Sequence, residues 1–195
     1  MLLLYNGTDE RMMKMKKLMT GCIAMLLLFT LTIDANAALK KPSVPNLKNK
    51  TVVQAMKKGN YKLNGIKIGN TYGYVKQKWV KPSFKVTSLY QRYDFEYHYL
   101  TKRGDSTILY FTGKRGDKPE QYRLRSISFA GIPQYFTVSD MNKYWGEGDL
   151  YYPQAGTINY IQGNTLLSFD VNGSIAYVAQ LHPEDMKEIL RKFAF

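Results

Sequence analysis

Two stretches of this chain, 66 residues apart, carry one pattern, and any fold must house both. Aligning Trp79 with Trp145 sets Ile66 on Ile132, Thr71 on Thr137 and Val75 on Met141. In each stretch a threonine precedes two apolar residues spaced i and i+4, the arrangement of a short capped helix with one buried side. The first helix must stop before Pro82, because the residue ahead of a proline avoids helical backbone; the second stops at Gly146, which tolerates positive φ. The two tryptophans are the only ones in the chain and are expected as core anchors.

Alternation predicts three strands after each helix: residues 93–100, 107–111 and 122–129, then 157–161, 166–171 and 174–181. It puts Tyr93, Phe95, Tyr97 and Tyr99 on one face. Asn172-Gly173 reads as a two-residue hairpin turn. A helix over 51–58 precedes the first set, and one over 183–193 closes the second, with Met186, Ile189, Leu190 and Phe193 on one side. A three-stranded meander cannot bury its own apolar face, so two must pack side by side. The expected class is α+β: a tandem repeat of a short helix followed by an antiparallel three-stranded meander, with the helices on one face of the sheet. Repeat 1 spans 51–131 and repeat 2 spans 132–195.

The start of the chain reads as an export signal over 15–37. Met15-Lys16-Lys17 is followed by an apolar run over 18–33, then Asp34, then Ala35-Asn36-Ala37 as a cleavage site. The run is about 16 residues, short of the roughly 20 that span a bilayer, so cleavage after Ala37 is expected. Residues 1–14 form an upstream extension with no part in the fold. Cys22, the only cysteine, lies near the beginning of the run, whereas a lipid-bearing cysteine would close it. Cleavage leaves no cysteine, which excludes disulfides, thiolate metal sites and cysteine nucleophiles from the mature chain. Residues 38–50, with two prolines and four lysines, read as an extended, solvated basic arm. The expected location is extracellular, in free or surface-associated form.

Residues 38–195 carry 24 Lys and Arg against 12 Asp and Glu. Residues 38–92 hold 12 of those lysines and Arg92 with no acid at all; 93–195 are nearly neutral. Such asymmetry points to a polyanion: nucleic acid, anionic polysaccharide, teichoic acid or a membrane surface. It also serves solubility alone. The expected contacts are Lys57, Lys58, Lys62, Lys67, Lys76, Lys78, Lys81, Lys85, Arg103 and Arg115, with Tyr72, Tyr74 or Tyr90 free to stack on bases.

Little points to catalysis. His98 and His182 have no second ligand at metal spacing, and there is no nucleophile elbow, phosphate loop or Ser-Lys signature. A non-enzymatic protein without metal or cofactor is expected. The tripeptides Arg103-Gly104-Asp105 and Arg115-Gly116-Asp117 match an integrin-type adhesion motif, and Gly beside Asp is also ordinary turn chemistry. They open an alternative, a protein-binding module that acts as an enzyme inhibitor or host-cell ligand.

The duplicated helix and meander resembles the β-lactamase inhibitor protein fold, a binding scaffold. The segment Leu63-Asn64-Gly65-Ile66-Lys67-Ile68 is similar to part of the staphylococcal immunodominant antigen B family; residues 138–146, 157–160 and 166–178 resemble that family's second half. The resemblance covers most of 57–181. It implies a secreted or surface-associated, virulence-associated protein of Gram-positive bacteria with affinity for extracellular nucleic acid. The chain departs from the family in a longer first meander, over 90–129, and in its two Arg-Gly-Asp insertions.

Overall fold

A computed structural model describes residues 39–88, 92–102, 104–132, 136–148, 150–154 and 156–193. The export signal, the upstream extension, Tyr90 and Arg103 lie outside the described residues. Among the described residues four α-helices form: α1 (Lys50–Lys57), α2 (Tyr72–Lys78), α3 (Val138–Trp145) and α4 (Pro183–Phe193). Each of the first three starts at a side chain that satisfies an orphan backbone N–H. Asn49 accepts from the amides of Thr51 and Val52, and Thr71 from that of Tyr74. Thr137 and Asp140 form a reciprocal capping box, and Gly146 ends α3 at φ 81°.

Eight strands follow the order β1-β2-β3-β4-β8-β7-β6-β5 in a single sheet, every neighbouring pair antiparallel. They are β1 (Phe84–Thr87), β2 (Phe95–Leu100), β3 (Ser106–Thr112), β4 (Arg123–Ala130), β5 (Leu150–Gln154), β6 (Thr157–Gln162), β7 (Thr165–Asp170) and β8 (Ile175–Leu181). The hairpin at Asn172-Gly173 is not a two-residue turn: the Asp170 amide donates to the Ser174 carbonyl, which closes a three-residue loop over 171–173 with Gly173 at φ 76°, and Asp170 Oδ1 accepts from the amides of Asn172 and Ser174.

This architecture overturns the tandem repeat of a helix and a three-stranded meander with all helices on one face. The eight strands hydrogen-bond into one continuous sheet, with β4 and β8 joined at its centre. The helices are not repeated units either: α1, α2 and α3 lie on one face and α4 on the other. The main core shows this, since Val53 and Met56 of α1, Val75 of α2 and Met141 and Trp145 of α3 all pack with Phe95, Tyr97, Leu109, Ile127, Phe129 and Val178 of the sheet. Met186 and Ile189 of α4 instead meet Ile161, Ala179 and Leu181, whose side chains alternate to the opposite side. The missed strands are the two edges. β1 has only four residues, all exposed, and β5 carries Pro153, which a sheet tolerates only at its margin.

Two smaller expectations also change. Tyr93 precedes β2 and packs with Ile108 and Tyr110 in a separate cluster, while Phe95, Tyr97 and Tyr99 join the main core. The basic arm is docked, not solvated. Pro42, Pro45 and Leu47 are buried, Lys40 forms a parallel bridge with Trp79, and the Trp145 indole donates to the Leu47 carbonyl at 3.0 Å.

Candidate polyanion-binding surface

The first part of the acid-free segment, through Trp79, folds on one side of the sheet; its end supplies edge strand β1, and Arg92 reaches Glu188 of α4 on the other side. Leu47, Val53, Met56, Leu63, Ile66, Val75 and Trp79 point into the same core, at intervals spread along 47–79. The lysines between and around them therefore face outward. Lys40, Lys41, Lys50, Lys58, Lys62, Lys67, Lys76, Lys78, Lys81 and Lys85 are all exposed. Among the described residues none of these ten is in a salt bridge; within 39–92 only Lys48, with Asp140, and Arg92, with Glu188, make one. The opposite face is balanced differently: α4 sets Glu184, Asp185 and Glu188 among Lys187, Arg191 and Lys192. There the Arg125 guanidinium is held by Asp185, through Nε at 3.2 Å and Nη2 at 2.6 Å, and by Glu184 at 3.0 Å. Burial opposes that charge, but the two carboxylates outweigh it and hold the Arg125 proton more tightly than usual.

The docked arm concentrates charge at one point of the layer. The amide of Lys40 donates to the Lys78 carbonyl, that of Val80 donates to the Lys40 carbonyl, and the Asn64 side chain donates to the Lys41 carbonyl. Lys40 and Lys41 thus stand beside Lys78 and Lys81. The expected contact list omits Lys40 and Lys41, because no local pattern announces a pairing between residues 39 positions apart.

The remaining candidates divide. Lys58, Lys62, Lys67 and Lys76 are exposed and make no ion pair among the described residues. Lys57 is not: its ammonium donates to the Trp145 carbonyl at 3.0 Å and fastens α1 to the end of α3. Lys85 lies 4.2 Å from the Phe95 ring centroid and 5.6 Å from that of Tyr97, at the sheet edge. Arg115 is exposed in the turn between β3 and β4. Of the tyrosines, Tyr72 is stacked on Tyr97 at 4.7 Å and belongs to the core, whereas Tyr74 is 38% exposed with Lys78 Nζ 5.8 Å from its ring.

Both Arg-Gly-Asp segments use their aspartates inside their own turns. Asp105 accepts a short hydrogen bond from the Thr101 hydroxyl, and Gly104 sits at φ 89°. Asp117 accepts from the amide of Lys114 at 2.8 Å, with Gly116 at φ 91°. Among the described residues no group of three His, Asp or Glu side chains is placed to hold a metal ion, and no helix is long and apolar enough to cross a membrane. No protein-family model, no curated protein and no solved structure matches the chain.

Proposed function

We propose that the chain is an exported, non-enzymatic polyanion-binding protein that takes nucleic acid, without reading its sequence, on the outer surface of its helical layer. One observation carries the reading: ten exposed lysines of an acid-free segment have no carboxylate partner among the described residues, and eight of them lie along the docked arm, α1, α2 and their connection on one side of the sheet. Ammonium groups so placed sum their fields on one side and release condensed counterions from a phosphate backbone. Lys40, Lys41, Lys78 and Lys81 form the centre of the contact, and Lys58, Lys62, Lys67 and Lys76 extend it. Tyr74 offers an exposed ring beside Lys78 for an unpaired base.

Fluorescent DNA titrated at several salt concentrations tests the proposal. With about six phosphates engaged, log affinity falls against log salt with a slope of about −4 to −5. Affinity that does not vary with salt, or no binding in dilute buffer, contradicts it.

A further inference from the structure

Gln162, Thr165 and Gln180 form a row across β6, β7 and β8, Gln162 paired with Thr165 and Thr165 with Gln180. All three are fully buried. Each lies two residues along its strand from a side chain of the main core, Tyr160, Leu167 or Val178, so alternation turns the row toward the helical layer. The Gln162 amide donates to the carbonyls of Gly146 and Glu147, just beyond α3. This leaves Gln162 Oε1, Thr165 Oγ1 and both amide atoms of Gln180 buried without a hydrogen-bond partner. Buried polar atoms rarely stay unpaired, because each forfeits its bonds to water on folding.

The donor and acceptor inventory selects the ligand. Gln162 Oε1 only accepts, the Gln180 amide does both, and the Thr165 hydroxyl does either. A cation would oppose the amide hydrogens of Gln180, and an anion would oppose Gln162 Oε1. Water can donate to the two carbonyl oxygens while accepting from a hydroxyl or amide; Thr165 stands about 5 Å from each glutamine as its opposed partner, so a water beside Thr165 lies within reach of the two long side chains that flank it.

We propose that this row is the binding site of a buried water molecule that joins β6, β7 and β8 beneath the ends of α1 and α3. The turn beside it is already tied to α1, since the Asn164 amide donates to the Lys57 carbonyl at 2.9 Å. The water therefore belongs to the joint that seats α1 on the sheet.

A crystal structure of the full chain that shows ordered solvent tests this. Density for one water within about 2.7–3.2 Å of Gln162 Oε1 and of the Gln180 amide is expected. A direct hydrogen bond from the Gln180 amide to Gln162 or Thr165, with nothing between, overturns the proposal. In solution, the side-chain amide protons of Gln162 should show a nuclear Overhauser effect to bound water. Gln180→Met keeps the length and removes both polar atoms, so it should lose that signal. Absence of the signal from the unaltered protein, or its persistence in the variant, also overturns the site.

Discussion

Replacing Trp145 by Phe isolates the bond that holds the basic arm. Trp145 is 3% exposed, and its indole N–H is the donor to the Leu47 carbonyl, itself in a fully buried residue. Phe keeps most of the apolar body but removes the donor. An unpaired buried carbonyl costs about 1–3 kcal/mol, and the smaller ring adds about 1 kcal/mol for the space it leaves. A total of about 3 kcal/mol lowers Tm by roughly 6–12 °C in a domain of this size. The loss should also be local, because Leu47 anchors a segment whose other ties include Pro42, Pro45, the bridge at Lys40, the Asn64 bond to the Lys41 carbonyl and the Lys48–Asp140 ion pair. Limited trypsin digestion should then cut at Lys48 and Lys50 before the sheet is attacked. DNA affinity should fall with arm release, since Lys40 and Lys41 leave the patch. A W145F protein with unchanged Tm and a protected arm would refute the reasoning.

Further expectations concern single contacts. Thr137→Ala removes the capping box of α3 and should cost about 1 kcal/mol in urea denaturation. Gly163→Ala should cost more, about 2 kcal/mol or above, because φ is 59° and the added Cβ would collide with the Lys57 carbonyl; Gly65→Ala, at φ 88° with open space around it, should cost only about 1 kcal/mol. Equal losses in the two glycine variants would contradict the packing described. Carboxylates set the acid limit of stability. Burial raises the Asp140 pKa, but bonds from Lys48 and Thr137 outweigh it and leave it lowered; Glu184 is lowered by Arg125 and Glu188 by Lys192. Lowered folded values add stability above the unfolded carboxylate range near pH 4, and it is lost as pH falls through them. Urea midpoints should hold steady from pH 7 to about 5 and drop below about 4; a rise in acid would contradict the assignment.

Local signals in the sequence were sufficient for local structure. The caps at Thr71 and Thr137, the stop at Gly146 and helix α4 from Pro183 all depend on neighbours within a few residues. What the sequence did not reveal depends on partners far along the chain. Edge strand β1 exposes all four residues, so no burial pattern marks it, and Pro153 disguises β5. The joining of β4 to β8, which makes one sheet, rests on pairs such as Ser128 with Ala179 that no period encodes. The candidate surface divides the same way. That residues 38–92 lack acids is plain from composition, but the docking of Lys40 against Trp79 and the diversion of Lys57 to Trp145 required the fold.

The proposed contact requires charge on one side of the sheet, and not charge as such. Two variants with equal charge loss decide it: Lys40, Lys78 and Lys81 changed to Gln on the helical layer, against Lys187, Arg191 and Lys192 changed to Gln on α4. Measured on single-stranded DNA in dilute buffer, the first should lose at least about tenfold in affinity and reduce the salt slope by about 2, while the second stays within about threefold of the unaltered protein. Equal losses in both variants, or a larger loss in the second, would contradict a contact on the helical layer.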